Sequence, residues 1–187
     1  MVNLCDIIQD NIEWCEGAPQ FAGIQGRVYY TAVSNIAQWP ERETTDTGIE
    51  LASYKEKSNF VLKADKKFYH IDILSAKSPA TSESQGEFPS ASQLNKVELV
   101  HPKTGEQAAN ASAYINNVPC VFLLKDMSGQ IRVIGCERWK NEIQATVAMD
   151  LGQGSAGTAQ TTISIQAPDT TAFPIYKGEI DEGDLAD

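Results

Sequence analysis

The chain has 187 residues, 42% hydrophobic and 21% charged, a globular composition too apolar for a disordered chain and long enough for one domain with its own core. A formal net charge of -10 disfavours any surface that grips nucleic acid, because the summed field repels polyanions. Four cysteines, at 5, 15, 120 and 136, form no C-x-x-C pair, and two histidines are too few to complete a zinc site around them, so no metal and no cofactor is expected.

The opening Met-Val-Asn-Leu-Cys-Asp carries no basic n-region and no long apolar core, and no stretch approaches the length needed to cross a bilayer. The expectation is a protein made and folded in a cytoplasm, with no membrane partner. Residues 1–20 read as an N-terminal arm. Within it Leu4, Ile7, Ile8 and Ile12 stand at helical spacing behind a possible Asn3 cap, which suggests a short amphipathic helix over 3–14 or an ordered arm.

Residues 26–32 (GRVYYTA), aromatic and β-branched, predict the first strand. Residues 40–58 are polar and weakly patterned, so a loop with at most one short element is expected. Residues 59–63 and 67–74 flank a polar turn at 64–66, and Tyr69, Ile71 and Ile73 alternate with His70 and Asp72. That pattern predicts a hairpin. The Ser-, Pro-, Glu- and Gln-rich stretch 75–94 predicts a long mobile loop, in which Phe88, Pro89 and Leu94 are apolar anchors suited to reaching a neighbouring subunit.

Strand character returns at 95–100, and 104–116 predicts the single convincing helix, with Ala108, Ala111, Ser112 and Ile115 on one small-residue face set against a sheet. Residues 121–125 are a continuous apolar run, 126–130 turn, and 131–136 return. Cys120 and Cys136 fall on these two strands; a bridge between them is open, and reduced thiols are the favoured reading. In 142–150, Ile143, Ala145, Val147 and Met149 alternate with Glu142, Gln144, Thr146 and Asp150, and 161–167 repeats the alternation. The polar set needs water or another subunit on its side, which makes Glu142, Gln144, Thr146 and Asp150 a candidate wet face. A short strand within 173–180 and an acidic tail at 179–187 close the chain. The whole, 1–187, reads as one mostly β (α+β) domain, an antiparallel sandwich or partly closed barrel with one flanking helix.

Catalytic patterns are missing. Gly152, Gly154 and Gly157 spell G-x-G-x-x-G, but an alternating strand follows where a dinucleotide site needs a helix, so the glycines are read as a hairpin connection. His70 lies within a strand and His101 beside Pro102 in an expected turn, and neither sits in a nucleophile–base motif. Trp14, Trp39 and Trp139 are candidates for sugar stacking, against the commoner role of core or interface anchors. The chain is expected not to be an enzyme.

The order from the helix through VFLLKDMSGQIRVIG (121–135), the wet-faced strand, the Gly-rich connection, TTISIQAP (161–168) and FPIYKGEI (173–180) resembles phage major tail proteins. GIQGRVYYTAVSNIAQWP (23–40) is similar to openings of tail tube proteins from phages and prophages of Bacteroidetes-type bacteria. The resemblance covers about two-thirds of the chain. It implies a tail-tube-like sandwich with one helix, hexameric rings stacked into a tube, contacts with other tail proteins, an acidic lumen through which DNA slides unbound, and a place in the virion tail. Other readings are a tail terminator or head–tail joining protein, and a β-sandwich module for a carbohydrate or surface receptor.

Overall fold

The apolar run VFLL becomes the middle of the molecule because it is buried on both faces: in β9 (Cys120–Asp126) the first five residues are all buried. β9 lies between β1 (Ile24–Ala32) and β10 (Ile131–Ile134), antiparallel to both. The computed structural model describes residues 11–182. Around β9 a seven-stranded sheet runs in the order β3 (Arg42–Thr44), β4 (Glu50–Tyr54), β13 (Ile175–Tyr176), β10, β9, β1 and β6 (Tyr69–Asp72). All its pairs are antiparallel except β13 with β4, which meet in parallel at Ile175 and Ser53.

A second sheet, in the order β11 (Gln144–Asp150), β12 (Gln160–Asp169), β8 (Ser92–His101) and β7 (Ala80–Gln85), is antiparallel throughout. Among the described residues the two sheets form a sandwich-like arrangement with one α-helix and no closed barrel, so the mostly β expectation holds in its sandwich form. By register Val28, Tyr30, Phe122 and Leu124 share one face of the large sheet. Ile24 and Leu124 lie beside Ala80, and Tyr30 beside Val147 and Ile163, so this face meets the small sheet. The other face, with Leu123 and Val133, is lined by an aromatic cluster in which Phe60 contacts Trp39, Phe68 and Tyr176 at centroid distances of 5.6, 5.7 and 5.4 Å.

The helix α1 (Glu106–Ile115) forms where expected, with Ile115 buried, Ala108, Ala111 and Ser112 half-buried, and Glu106 in its first turn at the positive end of the dipole. It packs beside β11. Residues 11–20 contain no helix or strand; residues 1–10, which hold most of the expected N-terminal helix, and the acidic tail beyond 182 lie outside the described residues.

Three expectations are corrected. Residues 40–58 hold two strands, β3 and β4, joined by a turn in which Gly48 takes φ 84°. The expected hairpin of 59–63 with 67–74 does not form: β5 (Val61–Leu62) pairs with β2 (Ile36–Gln38), and β6 pairs with β1, because each finds its apolar partners on β1 and its extension rather than on the other. Most consequentially, 75–94 is no loop. After a short 3-10 turn it is β7, antiparallel to β8 over six residue pairs, and only 86–91 form the tip.

One polar cluster joins the sheets. The Arg42 guanidinium, on β3, donates to both carboxylate oxygens of Asp169, at the end of β12, at 2.5 and 2.6 Å, and to the Thr171 hydroxyl at 2.9 Å. The Arg42 side chain is 9% and that of Asp169 1% exposed, and the guanidinium lies 4.9 Å from the centroid of the Tyr54 ring. Buried Asn95 beside it accepts the Phe173 N–H at 3.2 Å and donates to Thr171 O. Asp169→Ala would strand a buried cation, and should cost about 3–5 kcal/mol, a fall in melting temperature on the order of 10 °C. The double variant Arg42→Met with Asp169→Leu should recover most of that loss in thermal unfolding followed by circular dichroism.

Candidate functional site

The outer face of the small sheet gathers the polar alternations of four strands. Gln144, Thr146 and Asp150 on β11 are all exposed and, by register, lie across from Gln166, Ser164 and Gln160 on β12. Beyond β12, Gln166 faces Lys96 and Ser164 faces Glu98 on β8, and Lys96 forms an ion pair with Glu83 of β7. Three of the four candidate wet-face residues are therefore brought onto one surface. Glu142 is exposed but stands in the turn before β11, where its N–H donates to Trp139 O. The strand begins only at Gln144 because Ile143 fills the space over Gly135, 2.7 Å from where a Cβ would stand.

The face is mostly amides and hydroxyls, with Glu83, Glu98 and Asp150 outweighing Lys96. Such a surface attracts water, and its excess of carboxylates repels polyanions. β7 forms in spite of its polar sequence ATSESQ because its neighbour supplies a backbone ladder, reinforced by Ser82 to Gln93 and Gln85 to Ser92 side-chain bonds, each 3.2 Å.

Phe88 and Pro89 sit in the β7–β8 tip, and Phe88 is 95% exposed. Leu94, the third expected anchor, is half-buried within β8 opposite Glu83 and Pro168, and is part of the sheet rather than of a tether. The β11–β12 connection, 151–159, lies at the other end of the sheet, since Thr161 pairs with His101 and Asp169 with Gln93. That end exposes Leu151 at 74%. The G-x-G-x-x-G glycines belong to this connection, and a Cβ on Gly157 would stand 2.2 Å from Gln153 N, a self-contact that explains the glycine without a ligand.

The two edges of the sheet differ. On β11 the Val147 N–H is taken by the Asn116 side-chain oxygen at 2.7 Å, just past α1, which blunts that edge. Among the described residues, no strand pairs with the outer edge of β7.

The histidines, far apart in sequence, line one cleft of about 240 Å³ between β6, β8 and α1, a juxtaposition that no spacing announces. His101 ends β8 instead of lying in a turn, and its Nδ1–H donates to Asp72 O at 2.6 Å. Two hydroxyls line that cleft, those of Tyr30 and Thr161, and Thr161, though His101 is its cross-strand neighbour, donates instead to Lys103 O at 2.8 Å. Cys120 and Cys136 are free and buried, and burial pushes both thiols up to about 11. Trp39 packs on Phe60, Trp14 is exposed, and Trp139 stands in the 135–143 connection. Compared with models of known protein families, with curated proteins and with solved structures, the chain matches none.

Two expectations can be measured. Asn116→Ala should cost about 1 kcal/mol in chemical denaturation and raise the tendency to aggregate, since it frees the β11 edge. In a Cys5→Ser background at pH 8, Cys15 should react at once with a disulfide reagent, and Cys120 and Cys136 only on unfolding.

Proposed function

We propose that the chain is a structural subunit of a phage tail tube, polymerising as stacked hexameric rings around a channel that passes DNA without binding it. The observation that carries the reading is the small sheet. Its outer face is polar across four strands, one edge is without a partner strand among the described residues, and its two ends expose apolar tips.

A sheet wet on one face and open at one edge is completed by the same sheet of a neighbour, and closure of a ring removes the edge altogether. Different apolar groups at opposite ends, Phe88 and Leu151, suit a head-to-tail contact, which propagates along an axis rather than closing as a dimer. The excess of carboxylates on the face and the net charge of -10 suit a lumen that repels its cargo from the wall. On this reading the other partners are further tail proteins, and the place of action is the virion tail, assembled in the host cytoplasm. A tail terminator or head–tail joining protein shares the ring but not the unlimited stacking.

Concentrated protein should give rings or tubes of uniform bore in negative stain, with sedimentation that grows with concentration. Isolated rings that never stack would favour a terminator or joining role. A chain that stays monomeric at every concentration and salt would overturn the proposal. Phe88→Ser should leave the unfolding free energy of the subunit within about 0.5 kcal/mol of the parent and raise the concentration needed for assembly by about tenfold or more. On assembly, amide exchange should slow at 86–91, while 80–85 and 92–101 are protected already in the free subunit.

A further inference from the structure

Trp39 and Trp139 meet across an open cleft of about 340 Å³ on the β3–β4 side of the sandwich, away from the polar sheet face. Its floor is the Arg42–Asp169 pair; Pro40 and Tyr54 line one side, and Arg138 and Thr170 the other. Both indoles are half-exposed and both are held in place. Trp39 leans on Phe60 at 5.6 Å and 59°, and the Arg138 guanidinium stands 5.8 Å from the Trp139 ring centroid while donating to Glu50 at 2.9 Å. Aromatic walls fixed in this way lose little freedom when something stacks on them.

The charges of the cleft select the ligand. Each lining cation already has a carboxylate: Arg42 with Asp169 at 2.5 Å, Lys55 with Glu41 at 2.7 Å, and Arg138 with Glu50 at 2.9 Å. Glu137 is a further lining carboxylate without a cation of its own among the described residues, so the cleft is net negative. A phosphate, nucleotide or uronate finds no free cation there and meets repulsion. What remains on offer is an aromatic face for an apolar C–H surface, and carboxylate oxygens with lone pairs left to accept hydroxyl donors. The space equals about eleven waters at roughly 30 Å³ each, within the usual range for small-molecule sites.

We propose that this cleft binds a neutral saccharide, one or two pyranose rings stacked on Trp139 and Trp39 with hydroxyls donating to Glu41, Glu50 and Glu137. The site is independent of the tube reading: neither its residues nor its test involves the polar sheet face or the hairpin tips.

The test uses the full chain with Trp14→Phe, so that fluorescence reports the two cleft indoles alone. It is titrated with neutral hexoses and their disaccharides, and in parallel with the corresponding uronic acids and hexose phosphates, with calorimetry as a second readout. Saturable binding near millimolar is expected for at least one neutral sugar, with its anionic counterpart about tenfold weaker. Trp139→Ala should weaken binding about tenfold or more. Glu137→Gln, which cannot disturb the core because Glu137 is exposed, should weaken the neutral sugar by a smaller factor and narrow the gap to the uronate. No saturation by any neutral sugar, tighter binding of the anionic set, or unchanged affinity in a folded Trp139→Ala protein would each overturn the proposal.

Discussion

The two sheets of this protein are held in register by one buried ion pair. Arg42 comes from a three-residue strand at the far edge of the large sheet and Asp169 from the last position of β12, a ten-residue strand of the small one. Burying both charges is expensive, and the cost is offset only because every donor nearby has an acceptor. The guanidinium forks onto the carboxylate, Thr170 N and Thr171 N donate to Asp169 as well, and Asn95 satisfies the turn that follows. A pair of this kind contributes little net stability against an apolar substitute. It does penalise every arrangement in which β12 ends elsewhere, and so it works as a register lock.

From that lock the layout of the surfaces follows. With Asp169 fixed at the end of β12, the even-numbered residues of β11 and β12 face outward, while Ile163 and Ile165 face the core, both nearly fully buried. The same turn, 169–173, leads the chain back across to β13 and puts Phe173 into the left-handed region at φ 43°, with its carbonyl accepting from Arg132 at 3.2 Å. The same pair is the floor of the tryptophan-lined cleft. One polar cluster therefore shapes two distinct surfaces, a broad hydrated sheet on one side and a narrow aromatic cleft on the other.

The edges of the sheets show how the chain governs association. On the large sheet, Phe68, just before β6, has its N–H bonded to Asp181 O, and the Asp72 carbonyl of β6 accepts from His101, so part of that edge is occupied. β11 is blunted by Asn116. β7 carries Glu83 within an otherwise uncharged strand, a polar edge that can admit a matching strand and is poorly suited to indiscriminate apolar aggregation.

Sequence by itself determined the elements whose signal is written in periodicity. The apolar run of β9, the returns of β10, the alternations of β11 and β12 and the small-residue face of α1 all stand within a few residues of where the pattern puts them, because burial on one or both faces dictates residue type directly. Gln144, Thr146 and Asp150 were legible as one wet face for the same reason. Tertiary structure alone decided the rest. β7 is a strand because β8 lies beside it, and backbone ladder bonds leave no mark on side-chain type at a polar edge. β5 and β6 look like a hairpin locally, yet β1 and β2 offer each a better partner. Arg42 with Asp169, His70 with His101, and Trp39 with Trp139 are brought together by contacts between strands far apart in the chain, which local spacing cannot encode.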